Sequence, residues 1–152
     1  MIDLDETDRA LLRMLQQDAT LKAAELGRRL DISQPVAWRR VKRLEEAGIL
    51  KGRRLDLDKQ ALGFGVTVFL GIKLAAHGRV SLEDFERAVT AIPEVQTVQH
   101  VLGRYDYRLR VVARDLSDFE RVLRRRIMTL PGAGEVEANV VLSEERRPGP
   151  IG

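Results

Sequence analysis

Arg39, Arg40, Lys42 and Arg43 fall within five consecutive positions, with Trp38 beside them. Cations grouped this way can neutralise phosphates, and an arginine fork can read a base edge. At 100° per residue, Ala37, Val41 and Leu44 stack on one narrow apolar face of the stretch 33–47. Pro35, Arg39, Lys42 and Arg43 lie opposite, with Trp38 on their flank. A charge run of this kind can also be a solvated helix face. Trp38 reads equally as a core plug or as a contact to DNA sugars and thymine methyls. The spacing predicts a helix over 33–47. Ser33 is its N-cap, Pro35 sits in its first turn, where a missing N–H costs little, and Gly48 closes it in a left-handed C-cap.

The segment before it decides between the readings. Leu21 to Leu30 is a second short amphipathic helix with Leu21, Leu26 and Leu30 as contacts, and Asp31-Ile32 leaves room only for a tight turn. Two short helices, a tight turn and a basic second helix are the layout of a helix-turn-helix that reads double-stranded DNA. The motif spans about 22–41, and its candidate contacts are Ser33, Gln34, Pro35, Trp38, Arg39, Arg40, Lys42 and Arg43. Upstream, Leu4 to Asp8 opens a first helix with acids at its positive end, and Leu4, Leu11, Leu12 and Leu15 form its apolar face. After Gly48, the stretch 49–54 is either a small wing or an exit strand. Arg53 and Arg54 then touch phosphates or belong to a solvated linker. The charge follows the same layout. The net +3 resides in residues 1–54, residues 55–152 are balanced, and only Glu45 and Glu46 oppose the seven cations of 34–54.

Composition excludes several classes. Without cysteine there is no disulfide framework and no thiolate metal site, and His77 and His100 are too far apart in sequence to suggest zinc. No cofactor, no metal ligands and no catalytic residues are expected. The N-terminus lacks a signal-peptide pattern and no apolar run approaches a membrane span, so a soluble cytoplasmic protein with no membrane partner is expected.

Beyond a connector over 53–65 the period changes. Val66, Val68, Leu70, Ile72 and Leu74 alternate with Thr67, Phe69, Gly71 and Lys73, as a strand does. Ser81 caps a helix to Ile92, with Asp84 completing S-x-x-D and Leu82, Phe85, Val89 and Ile92 inward. Val95–Leu102 and Tyr105–Ala113 read as strands joined by a two-residue turn at Gly103-Arg104, with Tyr105 and Tyr107 on one face. Leu116–Leu130 is a helix with Leu116, Phe119, Leu123, Ile127 and Leu130 inward, and Val136–Leu142 is the last strand. The fold class is therefore α+β. An N-terminal helix-turn-helix domain (1–52, winged-helix-like) is joined by the linker to a C-terminal ferredoxin-like βαββαβ domain (66–143), and a Pro/Gly-rich tail (144–152) is expected to be mobile. Phe69 and Val112 make strands apolar on both faces, which predicts a homodimer through the second face.

Motifs along almost the whole chain carry a resemblance. They are Leu4-Asp5-x-x-Asp8-Arg9-x-Leu11-Leu12-x-x-Leu15-Gln16-x-Asp18, then Arg39-Arg40-Val41-Lys42-Arg43-Leu44-Glu45-x-x-Gly48-Ile49-x-x-Gly52. Ile92-Pro93-Glu94-Val95, Gly103-x-Tyr105-Asp106-Tyr107-x-Leu109-x-Val111 and Leu130-Pro131-Gly132 follow. In this order they resemble the Lrp/AsnC, or feast/famine, family of transcription regulators. The resemblance implies a recognition helix in the major groove and a C-terminal domain that dimerises, often onward to tetramers or octamers. It also implies a small effector, commonly an amino acid, bound between dimers near Gly103, Arg104, Tyr105, Asp106 and Ala138. Two positions depart from the family pattern: Arg104 stands where the turn usually has an acid, and Ala138 where a threonine is common. Arg104 offers a five-donor fork for a carboxylate, so an acidic group on the effector is one expectation, with Asp106 as amine partner or turn stabiliser. The other is that Arg104 is solvated or pairs with an acid of a neighbouring subunit. Two alternative functions remain. Some proteins resembling the family are haem-biosynthetic decarboxylases, but the second histidine and Tyr-Asn-x-Trp run of that group are absent here. A ligand-sensing partner without DNA binding would need a degraded recognition helix, and this one is intact.

Overall fold

In the computed structural model, which describes residues 2–75 and 82–152, the chain forms two compact units, residues 1–56 with 145–152 and residues 57–144.

The first unit holds three helices, α1 (Glu6–Gln17), α2 (Ala23–Leu30) and α3 (Gln34–Glu46). Helix α1 starts two residues later than the sequence suggests, because Asp5 and Asp8 form a reciprocal capping box: the Asp8 amide donates to Asp5 Oδ1 at 2.8 Å and the Asp5 amide to Asp8 Oδ2 at 3.2 Å. Asp31 ends α2 in the left-handed region (φ 54°), a conformation its short polar side chain tolerates. Ser33 caps α3 as expected, accepting from the Val36 amide at 3.3 Å, and Gly48 (φ 74°) follows its end. The three helices close on a core of Leu11, Leu12, Leu15, Leu26, Ala37 and Leu44. Residues 49–54 form no strand; the Ile49 and Leu50 amides both donate to the Leu44 carbonyl. The tail read as mobile lies against this unit, with Ile151 packed on the helical core and the Gln16 side-chain amide donating to the Gly149 carbonyl at 3.2 Å.

The second unit runs β1 (Val66–Leu74), α4 (Leu82–Thr90), β2 (Val95–His100), β3 (Tyr107–Ala113), α5 (Leu116–Val122), a π-helical turn (Leu123–Ile127) and β4 (Ala133–Val140). The sheet is antiparallel in the order β2-β3-β1-β4, which is the βαββαβ sandwich expected. Val68, Leu70 and Ile72 of β1 are fully buried and meet Phe85, Val89, Leu109, Val111, Phe119 and Ile127. The N-cap expected at Ser81, and His77, lie outside the described residues. Leu82 and Leu116, expected inward, are exposed. Each is the first residue of its helix, and the inward contacts begin three residues on, at Phe85 and Phe119.

The hairpin differs from its expectation. Strands β2 and β3 stop at His100 and Tyr107, so residues 101–106 make a longer loop rather than a two-residue turn at Gly103-Arg104. Asp106 braces this loop. Its carbonyl accepts from the Val101 amide at 3.0 Å, its amide donates to the Ile72 carbonyl at 2.9 Å, and its carboxylate accepts from the Leu74 amide at 2.7 Å. Tyr105 therefore lies outside the strand and off the face of Tyr107. Tyr107 is buried between Phe85 (ring centroids 4.7 Å) and His100 (4.8 Å). The Tyr105 ring lies over Gly71, where a Cβ would come within 2.7 Å of it.

Candidate nucleic-acid interface and effector pocket

Helix α3 divides its side chains by burial. Ala37 and Leu44 are buried and Val41 is half-buried on the core side, while Ser33, Gln34, Pro35, Trp38, Arg39 and Lys42 are exposed. Trp38 is 55% exposed, which rules out the core plug. Lys42 Nζ lies 5.8 Å from its ring centre, and the Arg39 Nε donates to the Pro35 carbonyl at 3.4 Å. These contacts leave the charges facing solvent.

Arg40, half-buried, and Arg43, which is exposed, pair with acids at the start of α1. Arg40 Nη1 donates to Asp5 Oδ2 at 2.7 Å and to Asp8 Oδ1 at 3.0 Å, and Arg43 Nη2 donates to the other oxygen of Asp8. Asp8 is fully buried. The Asp8 amide, with help from Arg40, holds the Asp5 carboxyl below its ordinary range, and the two acids raise Arg40. From the sequence, Asp8 reads as an acid favouring the helix dipole and as part of the family motif, not as a partner of α3. The signal was its three-residue spacing from Asp5, which makes a capping box. Arg53, read as a phosphate contact, donates from Nε to the Ala19 carbonyl at 2.9 Å, with Glu45 3.9 Å away. Arg54 is exposed.

In the second unit a cavity of about 320 Å³ is lined by Phe69, Gly71, Val101, Gly103, Arg104, Tyr105, Arg108, Glu137 and Asn139, among others. Gly103, Arg104 and Tyr105 thus come together as expected. Asp106 does not line it and acts as the loop brace. Ala138 pairs with Leu70 and so shares the helix-covered face; its neighbours Glu137 and Asn139, paired with Gly71 and Phe69, reach the cavity instead. Arg104 pairs with Glu135 of its own chain at 3.2 Å and lies 5.2 Å over the Tyr105 ring. The Tyr105 hydroxyl is buried without a hydrogen-bond partner among the described residues. Burial pushes its pKa up, Arg104 opposes this, and Glu137, short of hydrogen-bond geometry, raises it further. Arg108 covers Phe69, its guanidinium carbon 4.4 Å from the ring centre. Arg110 also stands over Phe69, held by Glu144 and Gln96, so the apolar second face is partly roofed by cations. A larger cavity, about 570 Å³, lies by Phe64, Val112 and the Arg121–Asp118 pair, and none of the sequence-predicted site residues lines it. Among the described residues no group of three His, Asp or Glu could hold a metal ion, and no helix is long and apolar enough to cross a membrane.

A three-helix unit with an exposed cationic recognition face, followed by a βαββαβ unit with a polar-rimmed cavity, defines a DNA-binding regulator that responds to a small ligand. Residues 4–51 match the winged helix-turn-helix DNA-binding family model, and residues 67–151 match the Lrp/AsnC ligand-binding domain. The chain is 35% identical over 141 residues to the DNA-binding transcriptional activator DecR of Escherichia coli K12, covering 93% of each protein. It is 32% identical over 145 residues to the leucine-responsive regulatory protein of the same strain, covering 95% of this chain and 88% of that one. Among solved structures, the regulator NMB0573 from Neisseria meningitidis in complex with L-Met superposes with a TM-score of 0.88 at 27% identity, over 95% of this chain and 94% of that one. The chain belongs to the Lrp/AsnC family of transcriptional regulators.

Proposed function

We propose that the chain regulates transcription by placing α3 in the major groove of a specific double-stranded site. An amino acid or related acid bound beside Tyr105 tunes that binding, and the working form is a cytoplasmic homodimer or higher oligomer. The observation that carries the DNA reading is the exposure of Trp38 together with Arg39 and Lys42, on a helix whose other side is committed to the core. Ser33, Gln34 and Pro35, exposed at the start of α3, are the other base-proximal candidates, and Arg54 is the phosphate candidate outside it. For the effector, the cavity offers Arg108 to a carboxylate and Glu137 to an ammonium group, with Phe69 and Val101 as apolar lining. The relatives are named regulators, and we read this chain likewise as a non-enzyme.

Selection of a binding site from genomic DNA, followed by anisotropy titrations, tests the reading. Arg39→Ala is expected to weaken the selected site more than random DNA, because a base contact is lost along with a charge. Equal binding of the selected site by parent, Arg39→Ala and Trp38→Ala would overturn it.

A further inference from the structure

We propose that Asp8 is a specificity-determining residue of the helix-turn-helix: with Asp5 it withdraws Arg40 and Arg43 from DNA, so that only the Arg39–Lys42 edge of α3 is cationic toward the groove. This rests on the reading of α3 as the DNA-facing helix.

Asp8 is the one buried charged residue among those described, and three donors reach its carboxylate: the Asp5 amide, Arg40 Nη1 and Arg43 Nη2. Arg40 is bound a second time by Asp5 and its side chain is 28% exposed, while that of Arg43, held by Asp8, is 49% exposed, so the withdrawal of Arg43 is one of charge matching rather than burial. Half of the cations on α3 are therefore matched to carboxylates of α1. Non-specific affinity for DNA is set by the number of phosphates neutralised. A helix presenting all four cations would grip any backbone; one presenting two depends more on its base contacts. The pairing also fixes rotation. Arg40 and Arg43 lie three positions apart on one flank of α3, and tethering that flank to α1 keeps Trp38, Arg39 and Lys42 outward. A shallow cleft lined by Asp5, Val36, Arg39, Arg40 and Arg43 adjoins the network. If a DNA phosphate seats there, Arg40 and Arg43 are contacts rather than withdrawn charges, which is the rival account.

The test compares salt slopes of log affinity for random duplex DNA, using full-length protein whose folding is checked by its thermal transition. Arg39→Gln should flatten the slope by about one per protomer. Arg40→Gln and Arg43→Gln should leave it unchanged, since those charges are already matched. Asp8→Asn keeps the shape and the acceptor toward the Asp5 amide, and should steepen the slope by about one per protomer while lowering the ratio of specific to random affinity. A slope flattened as much by Arg40→Gln or Arg43→Gln as by Arg39→Gln would overturn the proposal and leave the α3 reading standing. No effect of Arg39→Gln would overturn both. If Asp8→Asn does not fold, the Arg40 and Arg43 variants still decide.

Discussion

Asp8 and Glu135 each receive an arginine, but in different surroundings. Asp8 is fully buried and saturated with three donors, two of them from a helix more than thirty residues away. Glu135 meets Arg104 through a single contact of 3.2 Å, with side chains 53% and 70% exposed. The same ion-pair chemistry therefore does two jobs. A buried carboxylate without its partners is costly, so the Asp8 network holds α1 and α3 in one arrangement. An exposed pair competes with water and contributes little. The helical unit uses its buried pair to fix geometry, and the ligand-binding unit keeps an exposed, paired charge beside its cavity.

The largest effect is expected from removing the buried carboxylate. Asp8→Ala keeps the Asp5 N-cap and the Arg40–Asp5 pair but removes the acceptor for the Asp5 amide, one of the two partners of Arg40 and the acid partner of Arg43. A loss of about 2–3 kcal/mol is expected in urea unfolding of the full chain. A loss no larger than that of a surface pair would erase the contrast with Glu135.

The ligand-binding unit has its own polar contact on a buried side chain: the Tyr107 hydroxyl donates to Oε1 of the exposed Glu86 at 2.5 Å. Burial and then Glu86 push this phenol from 10.0 up to about 12. Its folded pKa is raised, so its stabilisation is complete below pH about 10 and is lost as the pH rises through about 12. Tyr107→Phe should cost about 1.5–2 kcal/mol at neutral pH and should remove that alkaline decline, measurable as denaturation midpoints across pH 8–12. A decline undiminished in the variant would assign it to another group.

Gly71→Ala sharpens the contrast at the cavity itself. The added methyl would meet the Tyr105 ring, so the ring must tilt, costing about 1–2 kcal/mol and weakening any ligand that rests on it. Unchanged stability and unchanged ligand binding would show that the ring does not pack there.

The smallest effect is expected at Arg104. Arg104→Ala should shift stability by no more than about 0.5 kcal/mol. In calorimetry with an amino-acid panel it should keep the affinity of a bound ligand, because Glu135 already holds the guanidinium, whereas Arg108→Ala should lose about tenfold or more. If Arg104→Ala instead abolishes binding of acidic amino acids alone, the carboxylate clamp read from the sequence is correct and Glu135 is only its resting partner.

Periodicity and capping, which act within a few residues, were legible without coordinates. Ala37, Val41 and Leu44 announced the buried edge of α3, Ser33 its start, and the alternation Val68–Leu70–Ile72 the inner face of β1; together with the element order these implied both units. The groups on the exposed edge of α3 followed from the same helical angles. What the chain could not reveal by itself were matches across distance. That Arg40 and Arg43 serve Asp8 depends on how α1 crosses α3. That Tyr105 and Tyr107 part company depends on where the loop 101–106 begins. That Glu137 and Asn139, rather than Ala138, reach the cavity depends on register with β1, where a slip of one residue exchanges the faces. Local conformation is set by neighbours in sequence, whereas the partner of a charge or the face of an edge strand is set by which distant segment arrives beside it, and only the tertiary structure decided that.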